Sequence, residues 1–290
     1  MDLTDLNIIK SFCKKYGVRP SKEFGQNFLI DREVLETMVE AADLKRGDVI
    51  LEIGPGFGVL TAELVKRVSR VIAVEADRKM ANALREIMAD FQNVEIIQDD
   101  VLKFSIFNFQ FSNNFQNSKF KIQNYSYKIV ANLPYQITSA VFRKFLSEEP
   151  RPNEITVMVQ KEVAERICAK PGEMSLLSLS VQFYGQPEIV AIVPRRVFWP
   201  EPEVDSAILK ISNIRGIFAK NEKEISPEKF FRLAKIGFSA RRKQLQNNLA
   251  GGLRLSNKAV QDILIKIGLD PKVRAQDLAI EDWIRLINNF

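Results

Sequence analysis

A glycine-rich turn directly after a buried strand constrains the fold of this chain most. Residues 49–53 form a short apolar run, and glycine follows it at alternate positions, Gly54, Gly56 and Gly58. Apolar residues then recur at helical spacing within 60–68, so the turn is predicted to join a strand to a helix. Glycine adopts positive φ without penalty and lets the backbone approach a ligand closely. The segment is therefore typical of a nucleotide-binding turn in an α/β fold.

The spacing of this turn indicates which nucleotide it holds. Glu52 lies at the strand end, which gives the pattern Glu-x-Gly-x-Gly-x-Gly. Dinucleotide sites usually place the last glycine one position later and direct a helix N-terminus at a pyrophosphate. The observed pattern favours S-adenosylmethionine, which has no phosphate, and a dinucleotide-dependent dehydrogenase remains the alternative.

Two later strands are predicted to end in acidic residues at the same sheet edge. The run 71–74 is followed by Glu75, and the run 94–97 is followed by Gln98, Asp99 and Asp100. Glu75 is placed to accept hydrogen bonds from ribose hydroxyls, and Asp100 to accept one from an adenine amino group. Either acid alone is more often a solvated loop residue. Their shared position at the carboxyl ends of strands predicts one crevice.

A fourth strand, 128–131, ends at Asn132-Leu133-Pro134-Tyr135. The tetrapeptide offers an amide, backbone carbonyls and an aromatic plane together, which suits a planar amino group that must be aimed at an electrophile. Methylation of an amino group on a nucleobase fits this chemistry. Asn-x-Pro also forms ordinary turns, so the tetrapeptide gains its weight from the motifs before it.

Taken together, these segments resemble the ribosomal RNA adenine dimethyltransferase family, and within it the bacterial small-subunit (16S) group. The similarity extends over nearly the whole chain. Besides the two motifs above, it includes the segments 24–29, 159–166, 198–207, 241–243 and 247–249.

The resemblance implies roles for particular residues. The residues implied to bind S-adenosylmethionine are Gln26, Asn27, Leu29, Gly54, Gly56, Glu75, Asp100 and Asn132. The residues implied to form the catalytic site are Asn132, Leu133, Pro134, Tyr135 and Phe198. In that site Asn132 and the carbonyl of Leu133 would accept from the target amine, and Tyr135 and Phe198 would enclose an extruded adenine. The implied substrates are two adjacent adenines in the 3′-terminal hairpin loop of 16S rRNA in a 30S precursor, each receiving two methyl groups at N6.

Composition excludes several other classes of protein. The chain has 290 residues, two cysteines far apart and no histidine, so neither a disulfide framework nor a metal site is expected. Residues 1–10 lack the pattern of a signal peptide, and no apolar run approaches a membrane span. We expect a cytoplasmic protein, monomeric and without membrane contact.

Positive charge is concentrated in one segment. Residues 212–255 carry ten Lys or Arg against three acids, whereas residues 1–211 carry 27 bases and 28 acids. Clustered cations neutralise phosphates and release counterions, so the segment is a candidate RNA-binding surface, centred on Arg241, Arg242 and Lys243. The alternative is that these cations lie on a solvent-exposed helix face that does not bind RNA.

The predicted organisation is α/β, with a Rossmann-like class I methyltransferase domain at 1–212 and a small, all-helical, basic, RNA-contacting domain at 213–290. The sheet is expected to be mostly parallel, with strands 189–193 and 207–211 as an antiparallel hairpin. Helices are predicted at 32–42, with Asp31 as N-cap, and at 230–249, 258–267 and 280–287.

Two questions stay open at the level of sequence. The segment 104–127 is rich in Phe and Asn without a helical period, which suits an extended surface hairpin better than a platform for RNA bases. The rival functions are a 23S rRNA adenine dimethyltransferase of the antibiotic-resistance type and a non-catalytic ribosome-assembly factor on the same scaffold.

Overall fold

The computed structural model describes residues 1–20, 25–105, 126–214 and 225–290. Several sequence predictions lie outside these ranges. They include Phe24 of the segment 24–29, most of the Phe- and Asn-rich segment 104–127, and three cations of the basic segment 212–255, Arg215, Lys220 and Lys223.

The strands of the described residues are β1 (Phe28–Leu29), β2 (Val49–Ile53), β3 (Arg70–Glu75), β4 (Val94–Gln98), β5 (Lys128–Asn132), β6 (Glu154–Gln160), β7 (Gln186–Val193), β8 (Phe198–Trp199) and β9 (Ser206–Ser212). Seven of them form the main sheet, in the order β4-β3-β2-β5-β6-β9-β7. The pairs from β4 through β6 are parallel, and β9 runs antiparallel to β6. The predicted Rossmann-like, mostly parallel sheet is confirmed.

The order of the strands fixes where a ligand can bind. From β2 the chain builds outward through β3 and β4, then returns to place β5 on the other side of β2. In open α/β sheets, such a reversal opens a crevice beyond the carboxyl ends of the strands that flank it. Here those ends are the glycine turn after β2 and Asn132 at the end of β5.

Helices cover the sheet and continue beyond it. They are α1 (Leu6–Tyr16), α2 (Arg32–Ala41), α3 (Thr61–Leu64), α4 (Arg78–Ile87), α5 (Thr138–Ser147), α6 (Lys161–Ile167), α7 (Leu176–Gln182), α8 (Pro227–Gly237), α9 (Leu245–Leu253), α10 (Asn257–Lys266) and α11 (Ile280–Ile287). In the described part of the chain, none is both long and apolar enough to cross a membrane.

Two helix predictions near the sheet have different outcomes. Asp31 caps α2 as predicted, because its carboxylate accepts from the backbone N–H of Val34 at 3.0 Å. The helix predicted after the glycine turn is shorter than expected, since regular α-helix extends only over Thr61–Leu64. Leu60, Leu64, Val65 and Val68 are nevertheless all buried, so the apolar spacing correctly marked a core-facing segment.

The predicted helix 230–249 is wrong as a single element. It consists of α8 and α9, separated by a turn at residues 238–244. Asn248 stabilises the break, because its Nδ2 donates to the carbonyls of Gly237 at 2.6 Å and Ala240 at 3.1 Å. A side chain thereby replaces the backbone donors that would have continued α8. The helices predicted at 258–267 and 280–287 match α10 and α11.

The chain divides into two compact units. The first contains Met1–Ala164 and Pro187–Ile214, and the second contains Glu165–Gln186 and Arg215–Phe290. Residues 165–186 thus group with the C-terminal helices, whereas the sequence suggested a single boundary at 212. The packing explains this grouping: the ring of Phe183 lies 4.2 Å from that of Phe230, and Gln276 Nε2 donates to the carbonyl of Gly172 at 2.8 Å.

Candidate active site

The glycine turn adopts a backbone that other residues rarely reach. Gly54, Gly56 and Gly58 have φ of 66°, 61° and 86°. Gly54 donates to the carbonyl of Val74 at 2.9 Å, which ties the turn to β3. A Cβ on Gly58 would lie 2.6 Å from atoms of Leu84 and Met88 on α4. The first two glycines therefore shape the turn, and the third permits close packing beneath it.

Glu75 lies where the sequence predicted it, at the end of β3 facing the turn. Its Oε2 accepts from the backbone N–H of Gly56 at 3.2 Å, and its Oε1 accepts from that of Asp77 at 2.9 Å. Burial raises the pKa of Glu75, and these backbone donors oppose the rise. The carboxylate is thus fixed in place and still lines the cleft beside it.

A second carboxyl group lies deeper in the same place. Glu52 is 1% exposed, and its Oε2 is buried without a hydrogen-bond partner among the described residues. Burial raises its pKa to about 8, with proximity to Thr61 opposing the shift and the charge of Glu75 adding to it. The sequence marked Glu52 only as a strand end. Its role as a buried, unpaired acid depends on tertiary packing.

The glycine turn and the strand ends together line one cleft at the carboxyl edge of the sheet. Its lining includes seven of the eight predicted cofactor residues: Gln26, Asn27, Leu29, Gly54, Gly56, Glu75 and Asn132. Two carboxyl groups line it, those of Glu52 and Glu75. No Lys or Arg is among the described residues that form its wall. The cleft therefore suits a cationic ligand and not a phosphate.

Asp100, the eighth predicted cofactor residue, is not part of this wall. It follows β4 at the same sheet edge as Glu75, since Gln98 pairs with Glu75. Its carboxylate accepts from the backbone N–H of Leu102 at 3.0 Å, and its side chain is 46% exposed. Its contact with an adenine amino group stays a prediction.

The Asn132 amide is held in a defined orientation at the end of β5. Its Nδ2 donates to the backbone carbonyl of Asn27 at 3.2 Å, so Oδ1 is the amide atom left to accept from a ligand. Leu133 has a buried side chain, and its backbone N–H donates to the backbone carbonyl of Met158 at 3.1 Å. Pro134 lines the cleft beside Gly54.

The two aromatic residues predicted to enclose a base have different surroundings. Tyr135 is half-buried, and its hydroxyl is 2.7 Å from Oγ of the fully buried Ser206. Burial raises the pKa of Tyr135, and the bond to Ser206 opposes this. Phe198 is 3% exposed and pairs with Leu29 in the two-stranded sheet of β1 and β8. Neither ring lines the cofactor cleft, and their stacking on a base stays a prediction.

Comparison with known proteins agrees with this geometry. The profile of a family described as "Ribosomal RNA adenine dimethylase" matches residues 18–290. A "Ribosomal RNA small subunit methyltransferase A" from Dehalococcoides mccartyi is 46% identical over 274 residues, covering 94% of this chain and 89% of that relative. This chain belongs to the ribosomal RNA adenine dimethylase family.

Solved structures of related enzymes share the fold. A dimethyladenosine transferase from Plasmodium falciparum has a TM-score of 0.73 at 25% identity, covering 91% of this chain and 97% of that one. The 23S rRNA methyltransferase ErmE has a TM-score of 0.70 at 28% identity, covering 90% and 98%. The chain is thus an S-adenosylmethionine-dependent ribosomal RNA adenine dimethyltransferase with a class I methyltransferase fold.

The cleft fits the cofactor of such an enzyme. S-adenosylmethionine carries a sulfonium and an ammonium group, and the cleft has two carboxyl groups and no described cation in its wall. Glu52 Oε2 is a buried acceptor without a partner, which is costly unless a donor or positive charge comes close. The dinucleotide alternative would need to place a pyrophosphate against these carboxyl groups.

The predicted RNA-binding residues lie in the second unit. Arg241, Arg242 and Lys243 are all exposed and occupy the turn between α8 and α9. The turn is closed by a hydrogen bond from the N–H of Lys243 to the carbonyl of Ala240 at 3.0 Å. The break that the sequence did not predict thus presents the three cations on one short loop.

Proposed function

We propose that this enzyme transfers methyl groups to N6 of two adjacent adenines in the 3′-terminal hairpin loop of 16S rRNA. Each adenine receives two methyl groups during small-subunit assembly, and the enzyme acts as a monomer in the cytoplasm. The observation that carries the proposal is the 46% identity, over nearly the whole chain, to a relative named for the small ribosomal subunit. Identity to the 23S rRNA methyltransferase ErmE is lower, at 28%, although the fold is shared.

We assign the cofactor to the cleft and to the residues predicted to hold it. The residues are Gln26, Asn27, Leu29, Gly54, Gly56, Glu75, Asp100 and Asn132. S-adenosylmethionine supplies an electrophilic methyl group on a sulfonium centre. Glu75, fixed by the N–H groups of Gly56 and Asp77, accepts from the ribose hydroxyls. Asp100 accepts from the amino group of the cofactor's adenine.

The chain's own contribution to the reaction is orientation. The N6 amine of adenine donates its lone pair into the ring and is a poor nucleophile. Acceptors at Asn132 Oδ1 and the Leu133 carbonyl hold its N–H protons and turn the lone pair toward the methyl group. The bond from Asn132 Nδ2 to Asn27 directs Oδ1 away from that carbonyl before the substrate arrives. The surplus proton leaves to water after transfer, so no histidine base is needed.

The target base has to leave its stack before N6 can reach the cofactor. Tyr135 and Phe198 hold the extruded adenine, and Pro134 closes the cleft beside it. Arg241, Arg242 and Lys243 contact rRNA phosphates from the second unit, which is thus the basic, RNA-contacting domain.

A methyl-transfer assay tests the proposal. Tritiated S-adenosylmethionine is mixed with the enzyme and 30S subunits from a strain that lacks these methyl groups, and 50S subunits serve as the matched control. We expect label on the two adenines of the 30S particle, at about four methyl groups per particle. Label on 23S rRNA would favour the antibiotic-resistance alternative, and RNA binding without label would favour a non-catalytic assembly factor.

Replacement of Asn132 tests the assigned mechanism. Asn132→Ala should lower kcat at least about a hundredfold, because the acceptor that aligns the target amine is lost, and should leave the Kd for RNA nearly unchanged, because the phosphate contacts remain. Asn132→Asp keeps an acceptor oxygen but loses the Nδ2 donor to Asn27. This variant therefore distinguishes the role of the acceptor oxygen from the role of the hydrogen bond that orients the side chain. Full turnover by Asn132→Ala would overturn the assigned role.

A further inference from the structure

A groove next to the cofactor cleft is lined by basic side chains of the first unit. It lies where the C-terminal end of α1 and the segment after it meet the N-terminal end of α4. Its walls are formed by Cys13, Lys14, Gly17, Val18, Arg19, Ala76, Asp77, Arg78 and Lys79.

The groove is strongly positive. Lys14, Arg19, Arg78 and Lys79 are all exposed, and none of them forms an ion pair with a carboxylate of the described residues. Lys79 Nζ donates to the neutral backbone carbonyl of Gly17 at 3.2 Å and not to a carboxylate. Neighbouring Lys15 differs, because Glu86 pairs with it at 2.5 Å.

The one acid in this wall does not bind the cations. Asp77 Oδ1 accepts from the backbone N–H groups of Lys79 at 2.7 Å and Met80 at 3.1 Å, so the carboxylate caps α4.

Tertiary structure creates this cluster from separate pieces of sequence. Residues 1–211 carry 27 bases and 28 acids, so the charge of the segment as a whole gives no sign of it. Two of the cations come from 14–19 and two from 78–79, and the bond from Lys79 to Gly17 joins these segments. A local excess of positive charge in a nearly neutral unit indicates a surface for a polyanion.

The groove is adjacent to the proposed reaction centre. Asp77 N–H donates to Oε1 of Glu75, the residue assigned to the cofactor ribose, and Ala76 of the groove directly follows Glu75 of the cleft wall. Nothing aromatic is among the described residues of the groove, and bases would have no ring to stack on. Contacts from Arg and Lys to phosphates position a nucleic-acid backbone and carry no sequence information.

We propose that this groove binds the sugar-phosphate backbone of the rRNA substrate beside the adenine that is methylated. The proposal rests on the function given above. It adds a phosphate-binding surface on the catalytic unit to the cations of the loop 241–243.

Paired double variants test the proposal in the full-length enzyme. The groove variant is Arg19→Gln with Arg78→Gln. The control is Arg46→Gln with Arg143→Gln, which removes the same number and type of exposed cations from positions outside the groove. Affinity for a fluorescent 16S 3′-terminal fragment is measured by anisotropy from about 50 to 300 mM salt, and affinity for S-adenosylmethionine by calorimetry.

We expect the groove variant to bind RNA about tenfold more weakly near 0.1 M salt, with the slope of log K against log salt reduced by about 2. The control should retain the wild-type slope, and both variants should bind the cofactor normally. Equal losses in the two variants would overturn the proposal, because they would reflect net charge alone. Normal RNA binding with reduced methylation of 30S subunits would also overturn it and indicate a protein partner.

This test is separable from that of the function. A wild-type enzyme that labels no 30S subunits would contradict the proposed function, whereas the dependence of RNA affinity on the groove cations would still be measured.

Discussion

The buried carboxyl group of Glu52 couples the stability of this enzyme to pH. Its pKa is about 8 in the folded state, against an ordinary value of 4.5. Between these values the folded chain binds a proton that the unfolded chain releases, so this group makes the free energy of unfolding fall as pH rises through that window. The loss is complete once the pH exceeds about 8.

Glu52→Gln should remove this dependence. We expect the variant to gain thermal stability over the wild type as pH rises from about 5 to 8.5, with each 1 kcal/mol worth roughly 2 to 4 °C in Tm. Exposed Glu40→Gln is the matched control and should follow the wild-type curve. Above about pH 8, where Glu52 is ionised, the variant should also bind S-adenosylmethionine more weakly, since a negative charge in the cleft wall is lost. Parallel Tm curves for the wild type and Glu52→Gln would contradict the prediction.

The hydrogen bond between Tyr135 and Ser206 should position the Tyr135 ring, which we propose stacks on the target base. Ser206 is fully buried and is 2.7 Å from the Tyr135 hydroxyl. Ser206→Ala and Tyr135→Phe should each lower kcat/KM about fivefold, equivalent to the roughly 1 kcal/mol of a hydrogen bond. The double variant should lose no more than either single one, and Ser206→Thr should recover activity. Additive losses would show that the bond plays no part in catalysis.

Reasoning from strand ends predicted that Glu75 and Asn132 share one edge of the sheet, and the family resemblance added Gln26 and Asn27. Gln26, Asn27, Glu75 and Asn132 line the cleft because parallel strands bring their carboxyl ends to one edge and the preceding loop returns there. Ser206 could not be assigned a role in this way. Its position opposite Tyr135 depends on the packing of a strand 71 residues later in the chain.

At the scale of elements, the turn after β2 depends on Gly58. Its φ is 86°, and an added Cβ would lie 2.6 Å from Leu84 Cδ1 and Met88 Cε. Gly58→Ala should therefore destabilise the fold by about 1 to 2 kcal/mol, through backbone strain at positive φ and the shift forced on the side-chain ends of Leu84 and Met88. Chemical denaturation measures this loss.

Gly251 is the matched control for that substitution. It lies within α9, and an added Cβ would meet no atom within 4 Å. Gly251→Ala should stabilise the chain by roughly 0.5 to 1 kcal/mol, because alanine loses less backbone entropy in a helix. Similar losses at both positions would refute the packing argument for Gly58.

Local pattern predicted elements well where burial alone decides them. The strands β2, β3 and β5 are apolar runs that the sheet buries, and each was found within a residue or two of its predicted ends. The break between α8 and α9 was missed because the apolar period continues through it. The carbonyls of Gly237 and Ala240 are satisfied by a side chain from the next helix, which is a tertiary contact.

At the scale of the whole molecule, both units carry cations assigned to one polyanion. The groove contributes Arg19 and Arg78, and the loop of the second unit contributes Arg241, Arg242 and Lys243. If both sets of cations bind the same RNA independently, their effects on the binding free energy should add.

Replacing Arg241, Arg242 and Lys243 by Gln should weaken rRNA binding and reduce the slope of log K against log salt by about 3. Adding the groove substitutions Arg19→Gln and Arg78→Gln should bring that reduction to about 5. The titration is again anisotropy with the 16S fragment, with Arg46→Gln and Arg143→Gln added to the loop variant as the control. KM for 30S subunits should rise in step, whereas kcat at saturating RNA should change little, because phosphate contacts hold the substrate equally before and during transfer. If the combined variant bound RNA as tightly as the loop variant alone, the cations of the second unit alone would account for phosphate binding.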